Sequence, residues 1–209
     1  MSRQKTIIFG ASVKKLGPLL KEAIKWKHTA RAVMYDITQT DNTLRDLDIQ
    51  YGHMNNKDKI AELAKGFDAV IALHEPVYLQ PDDHLRAVKA LIEGTKIAGA
   101  EKLIVIGHPV NYPVENTLEF YGKWKVILRS QAEALKVLQN KVSLDWYYIH
   151  SPRLEPSPVT GRLMLGETIL CTSPLGVNNI EKKNYANEVF KLADRKMSAR
   201  NLDSMLLNI

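Results

Sequence analysis

Short, continuous apolar runs alternate along this chain with segments of helical periodicity. The first run, Thr6 to Phe9, ends at Gly10, and apolar residues then recur at i, i+3 and i+4 from Leu16 to Ile24. Five further runs predict strands, at Ala30–Tyr35, Leu47–Gly52, Asp68–Leu73, Lys102–Ile106 and Leu144–Ile149. Helical patterns between and after them predict helices that begin near residues 56, 82, 118 and 184. This alternation is typical of an α/β protein.

The pattern predicts a single doubly wound, mostly parallel, Rossmann-like sheet with helices on both faces and right-handed crossovers. We expect one domain over residues 1–209, because no linker, repeat or low-complexity tract interrupts the chain. Residues 151–183 are rich in proline and predict a small, irregular extension on the substrate side. Short strands are expected within it near Arg162–Leu165 and Thr168–Cys171.

Polar residues follow the predicted strands, at the sheet edge where open α/β sheets bind their ligands. Gly10 and Asp36 end the first two strands, and four of the six histidines follow later ones, namely His53, His74, His108 and His150. These histidines either face a polar ligand or are ordinary loop residues. His74, Glu75, His108 and His150 could donate to a metal, but they lack the short spacing of zinc sites, so no metal is expected.

Two further features suggest chemistry. Asp36 is placed to accept hydrogen bonds from an adenosine ribose, or to cap a helix. Tyr121 and Lys125 have the spacing Tyr-x-x-x-Lys, which puts both residues on one helix face. The ammonium group could then lower the pKa of the phenol for acid–base work, although a solvated helix start has the same spacing.

Composition and charge indicate which classes of molecule the protein binds and where in the cell it is expected. The net charge is +6, but the lysines are scattered, which argues against nucleic acid and leaves a small-molecule substrate or metabolite. No apolar run is long enough to span a bilayer. A single cysteine, Cys171, and an N-terminus without an apolar leader predict a cytoplasmic protein.

Apolar residues near the C-terminus, Met205, Leu206 and Leu207, could form a homodimer contact or pack back on the sheet.

Several segments together suggest a family. They are Ile7–Ser12, Leu63–Ile71, Lys102–Gly107, Gln131–Leu135, Leu144–Trp146 and Asn184–Ala186. In their order and spacing, the chain resembles the atypical short-chain dehydrogenase/reductases of the NmrA-like, NAD(P)H-binding group, which includes NADH-flavin reductases. The resemblance runs from Lys5 to about Asp194.

This resemblance implies a dinucleotide cofactor bound by the first turn and by later strand ends. The residues that it assigns to the cofactor are Gly10, Ser12, Val13, Lys14, Leu16, Asp36, His53, Met54, Leu73 and His74. Val13 and Leu16 stand where the family has its second and third glycines, and His53 stands where relatives carry an acid near the adenine. Tyr35-Asp36 replaces the arginine of NADP-binding relatives, which favours NAD.

Two functions remain open from these residues. In the first, the chain is a reductase or epimerase relative that uses NAD(P)H to reduce a small molecule or a flavin. Tyr121 then donates a proton, Lys125 is its electrostatic partner and His108 contacts the substrate. In the second, the altered glycine loop has lost the cofactor, and the protein is a non-catalytic sensor or scaffold on a retained fold. A metal-dependent or other hydrolytic activity is a third alternative.

Overall fold

The computed structural model describes residues 4–10, 29–35, 48–73, 83–107, 121–140, 144–150, 163–167, 189, 193 and 202–208. The described strands are β1 (Lys5–Gly10), β2 (Thr29–Met34), β3 (Asp48–Tyr51), β4 (Ala69–Leu73), β5 (Lys102–Gly107), β6 (Asp145–His150), β7 (Leu163–Glu167) and β8 (Leu202–Asn208). The described helices are α1 (Lys57–Ala64), α2 (Asp83–Ala98) and α3 (Tyr121–Gln139).

All eight strands belong to one sheet, in the order β3-β2-β1-β4-β5-β6-β8-β7. Every neighbouring pair is parallel except β7 with β8. The doubly wound, mostly parallel sheet predicted from the sequence is therefore confirmed, and β7 confirms the strand expected near residue 163. The predicted strand at Thr168–Cys171 lies outside the described residues.

Strand β8 was not predicted. Its residues pair with β6 on one side and with β7 on the other, so that Met205 is aligned with both His150 and Gly166. The apolar C-terminal residues Met205, Leu206 and Leu207 all lie in this strand. Their backbone is therefore part of the sheet.

The core lies where the central strands meet α2 and α3. Strands β4 and β5 are buried along their whole length. Their sequences are continuous apolar runs, which is typical of strands that are covered on both faces of a parallel sheet. Val88 and Leu91 of α2 and Ala134 and Leu138 of α3 pack against one face of these strands and against Trp146. Val189 and Ala193, in the region where the sequence predicts a last helix, are helical and fully buried.

Local signals fix the helix boundaries. The Asn56 side chain accepts hydrogen bonds from the backbone N–H groups of Asp58 and Lys59, at 3.1 and 3.0 Å, and so caps the start of α1. Gly66 and Gly99 follow α1 and α2 with φ of 81° and 74°, a conformation that ends helices and favours glycine. The observed start of α1 agrees with the helix start that the sequence predicts near residue 56.

The amino edge of the sheet is closed by a polar contact. Lys102 Nζ and Gln4 Nε2 both donate to the carbonyl oxygen of Ala193, at 2.8 and 2.5 Å. Lys102 is buried, so its charge is stabilised where it meets the backbone of the last helix. This contact ties the amino ends of β1 and β5 to the backbone at Ala193.

Candidate functional site

The strand order reverses between β1 and β4. The chain passes from β1 outward to β2 and β3, then returns to β4 on the other side of β1. At the carboxyl edge Gly10 is aligned with Met34 of β2 and with Leu73 of β4. Two of the predicted cofactor residues, Gly10 and Leu73, are therefore direct neighbours at the point where open α/β sheets form their ligand crevice.

Three aromatic side chains lie together beside this reversal point, and we call Tyr35, Tyr51 and His53 the aromatic group. Tyr35 and Tyr51 are 47% and 55% exposed. The rings of Tyr35 and His53 are nearly parallel, with centroids 6.3 Å apart and planes at 13°. The Tyr51 ring meets His53 edge-on, and its hydroxyl is hydrogen-bonded to His53 Nε2 at 2.9 Å. The group therefore presents flat, partly polar surfaces to solvent.

The turn that carries His53 is held against β2. The Gly52 backbone N–H donates to the Met34 carbonyl oxygen at 3.0 Å. A Cβ at Gly52 would lie 2.9 Å from side-chain atoms of both Val33 and Leu63, so glycine allows this close approach. Met54, a further predicted cofactor residue, is partly buried and packs against the core. His53 is thus anchored by its neighbours while its ring stays at the surface.

The predicted acid–base pair lies on a helix whose start belongs to the same edge. β5 ends at Gly107, and within the described residues α3 begins at Tyr121 and runs back toward β6. A right-handed crossover of this kind puts the helix start near the carboxyl edge. Tyr121 and Lys125 are both in α3, so they are one helical turn apart, as the spacing predicted.

The remaining predicted site residues lie outside the described part of the chain. They are Ser12, Val13, Lys14, Leu16, Asp36, His74 and His108. Among the described residues, no three of the His, Cys, Asp and Glu side chains are grouped so that they could hold a metal ion. No helix in the described ranges combines the length and the apolarity of a membrane span.

A charged cluster at the start of β2 and β3 is structural. Arg31 contacts Asp48 at 2.6 Å, donates to the Leu63 carbonyl oxygen at 2.9 Å, and lies 4.9 Å from the centre of the Phe67 ring. The hydrogen bond from Gln50, with help from Arg31, holds the pKa of Asp48 below its usual value of 3.8, although burial opposes this shift. These contacts tie the end of α1 to two strands.

Sequence reasoning missed two parts of this edge. The sequence predicts Tyr51 only as a strand residue and Tyr35 only as the neighbour of Asp36; that both rings lie beside His53 depends on the pairing of β2 with β3. His84 was not considered, yet it is 2% exposed and contacts Tyr148 of β6. That contact joins residues 64 positions apart, and no local pattern in the sequence reports it.

Comparison with known proteins identifies a family and a relative that matches most of the chain. The sequence model of a family described as NAD(P)H-binding matches residues 16–195. The uncharacterised protein YwnB of Bacillus subtilis is 28% identical over 190 residues, which cover 86% of this chain and 87% of YwnB.

Two solved structures share the fold. A candidate epimerase from Bacteroides thetaiotaomicron has a TM-score of 0.80 at 21% identity and covers 100% of this chain and 98% of its own. ChuY of Escherichia coli O157:H7, described as an anaerobillin reductase, has a TM-score of 0.74 at 16% identity, with coverages of 98% and 97%. At these identities the likeness concerns the architecture.

Proposed function

Because this chain belongs to the NAD(P)H-binding family, we propose that it binds a nicotinamide dinucleotide at the carboxyl edge of the sheet and uses it to reduce a small molecule. The family match agrees with the resemblance noted in the sequence. The observation that carries the proposal is the exposed aromatic group beside the reversal of strand order. A crevice with such a wall suits a ligand that has a flat aromatic end and a charged middle.

The aromatic group supports binding of the adenine half. Adenine stacks on aromatic faces, and the parallel rings of Tyr35 and His53 offer such a face at the surface. The hydrogen bond between Tyr51 and His53 restricts the His53 ring, so less conformational freedom is lost when the ligand binds. The residues present therefore fit an adenine, with His53 in the place of the family's acid.

The diphosphate would lie at Gly10, which ends β1 between β2 and β4. The turn after Gly10 departs from the family pattern, because Val13 and Leu16 replace glycines. Lys14 directly follows Val13. We propose that its positive charge stabilises the diphosphate and so compensates for backbone N–H groups that glycines would have exposed more fully. Leu73, Met54 and His74 complete the proposed cofactor contacts.

The chain favours NAD over NADP. Asp36 follows Tyr35 at the end of β2, and a carboxylate there would accept hydrogen bonds from the ribose and repel a 2′-phosphate. The arginine earlier in the same strand, Arg31, is engaged by Asp48 and by the Leu63 carbonyl oxygen. Its guanidinium group is therefore held by contacts within the fold, and we do not assign it to a phosphate.

A bound, reduced nicotinamide supplies a hydride. The chain must then provide a proton and hold the acceptor molecule. Tyr121 is proposed as the proton donor, with Lys125 one turn later lowering the pKa of the phenol by its charge. His108, the residue that follows Gly107 at the end of β5, is proposed to contact the substrate. The chemistry is that of the wider short-chain dehydrogenase/reductase superfamily.

The substrate is proposed to be a small molecule, with a flavin as the first acceptor to test, and with residues 151–183 on the substrate side. A cytoplasmic location is proposed from the single cysteine. If the protein forms a homodimer, a surface other than the backbone of β8 must serve, because that strand is already paired on both sides.

Calorimetric titration of the protein with NADH and NADPH tests the proposal. We expect submillimolar binding of NADH, weaker binding of NADPH, and an affinity for NADH that is about 3–10-fold lower in Tyr35→Ala, because one stacking face is lost. Ile97→Ala is the matched control. Ile97 is also a large exposed side chain, but it lies in the last turn of α2 and is not part of the aromatic group.

Failure of both nucleotides to bind at millimolar concentration would overturn the proposal. It would favour the second function, a non-catalytic sensor or scaffold, for which Val13 at the second glycine position is the specific observation. In that case Val13→Gly should create an affinity for NADH that the natural chain does not have.

A further inference from the structure

A hydrogen-bonded network is buried under the end of β5. His84 Nε2 lies 3.1 Å from the Tyr148 hydroxyl, and that hydroxyl donates to Gln131 Oε1 at 3.3 Å. His84 is 2% exposed, and Tyr148 and Gln131 are fully buried. The three residues belong to α2, β6 and α3, so a single phenol oxygen links three elements of the fold.

The Tyr148 hydroxyl donates to Gln131 Oε1 and lies within hydrogen-bond distance of His84 Nε2, whose role as donor or acceptor follows from the tautomer of the ring. The His84 ring also meets the Tyr148 ring edge-on at 6.1 Å. A hydrogen-bonded phenol in a dry interior is restricted in orientation, because turning it away would separate its buried hydroxyl from these two partners.

The same hydroxyl lies directly against the last residue of β5. A Cβ at Gly107 would be 2.3 Å from the Tyr148 hydroxyl oxygen and 2.9 Å from its Cζ. The phenol therefore occupies the volume that any side chain at this position would need. Gly107 is also aligned with His150, two residues after Tyr148. Strand β5 is thus held at its end both by β6 backbone pairing and by a side chain of β6.

The position of this contact connects it to the proposed reaction. Gly107 immediately precedes His108, and Gln131 belongs to the helix that carries Tyr121 and Lys125. A shift of Gly107 would therefore move the chain on the substrate side of the crevice. Loss of the Gln131 contact would free α3 from the same anchor.

We propose that Tyr148, held by His84 and Gln131, is a positioning residue that fixes the carboxyl end of β5 through Gly107 at the nicotinamide end of the crevice. This inference rests on the proposed function. It assigns no contact with the substrate to Tyr148. It predicts that Gly107 and Tyr148 act as one unit, so substitutions at the two positions are not additive.

The test compares Gly107→Ala, Tyr148→Phe and the double variant in complex with NADH. Two quantities are measured: the dissociation constant of NADH and the fluorescence gain of the nicotinamide on binding, which reports how firmly the ring is held. Gly107→Ala should lower the fluorescence gain at least about twofold while the dissociation constant changes by less than about threefold, because the adenine end carries much of the affinity.

Tyr148→Phe removes the atom closest to the new methyl group. In the double variant the fluorescence gain should therefore recover above that of Gly107→Ala, which is the sign of coupling. Tyr148→Phe alone should also lower the gain, and this provides a test even if Gly107→Ala does not fold. Tyr147→Phe is the matched control, since Tyr147 is the adjacent buried tyrosine of β6 and alternation places it on the other sheet face.

Three outcomes overturn the proposal. Equal effects of Gly107→Ala in both backgrounds would show that the two residues act independently. Changes in melting temperature with an unaltered fluorescence gain would show a purely structural contact. Failure of the natural chain itself to bind NADH would remove the proposed function, and the positioning role with it. The last result is visible before any variant is made, so the two failures are distinguished.

Discussion

Tyr121 and Lys125 are the residues on which the proposed proton transfer depends. If Tyr121 donates the proton, Tyr121→Phe should lower kcat for NADH-driven reduction of the acceptor by about 100-fold, since general acid catalysis is worth 10²–10⁴-fold. The dissociation constant of NADH should stay nearly unchanged, because the phenol is assigned to the reaction and not to nucleotide binding. Steady-state kinetics and calorimetry measure the two quantities.

A lysine pair on α3 provides the control for this prediction. Lys125→Met should raise the pH at which kcat reaches half its maximum, because the phenol loses a neighbouring positive charge. Lys123→Met removes the same charge two residues earlier, away from the face shared by Tyr121 and Lys125. Equal effects of the two lysine substitutions on the pH profile would contradict the assigned pair.

Asp48 gives a prediction for stability against pH. Its pKa is lowered in the folded protein, first by Gln50 and then by Arg31, so its contribution is complete above the unfolded value of 3.8 and is lost as the pH falls through the lower folded value. Asp48 and Arg31 are partly exposed, and solvent screening limits the expected loss in Asp48→Asn at pH 7 to about 0.5 kcal/mol.

Urea unfolding at several pH values measures this difference. The natural chain and Asp48→Asn should converge in stability as the pH falls below the lowered folded pKa of Asp48, where the carboxyl group is protonated in both states. Glu101→Gln, a change at an exposed acid before β5, is the control for the removal of one negative charge. A difference between the natural chain and Asp48→Asn that grows toward low pH would contradict the assigned cause.

At the scale of elements, the packing of α1 against α2 depends on one glycine. A Cβ at Gly94 would lie 2.6 Å from Ile60 Cβ and 2.8 Å from the Lys57 carbonyl oxygen. Gly94→Ala should therefore destabilise the protein by about 1–3 kcal/mol through overpacking. Helix propensity acts in the opposite direction, because alanine in a helix is favoured over glycine by about 1 kcal/mol.

Chemical denaturation decides between these effects. Lys89→Ala is the control on the same helix, since Lys89 is exposed and its replacement should change stability by less than about 0.5 kcal/mol. A Gly94→Ala variant more stable than the natural chain would mean that the two helices separate easily, which contradicts the close contact.

The elements that sequence periodicity predicts well are those that carry their own signal. Strands β4 and β5 are continuous apolar runs, and α1 has a cap at Asn56 and a terminating Gly66. Strand β8 lacks such a signal, because Asp203, Ser204 and Asn208 interrupt its apolar residues. It forms because β6 and β7 provide hydrogen-bonding partners on both sides, and these partners are distant in sequence.

At the scale of the whole molecule, the topology of the sheet is what the sequence predicts best. Once parallel strands are expected, their ends must meet at one edge, and the structure has Gly10 at the end of β1 and His53 just after β3 on that edge; the binding roles of both residues stay predictions. The network of His84, Tyr148 and Gln131 was beyond reach. A histidine near a helix start is usually solvated, and its burial here depends on a phenol brought close only by the folded sheet.

The central claim is that a nicotinamide dinucleotide binds across the carboxyl edge of this sheet. Backbone amide chemical shifts of the ¹⁵N-labelled protein, followed during titration with NADH, test it most directly. We predict shifts at Gly10, Tyr35, His53 and Gly107, with the amides of Asp68 and Lys102 at the opposite edge unaffected. No shifts at millimolar NADH, or shifts confined to the amino edge, would contradict the claim.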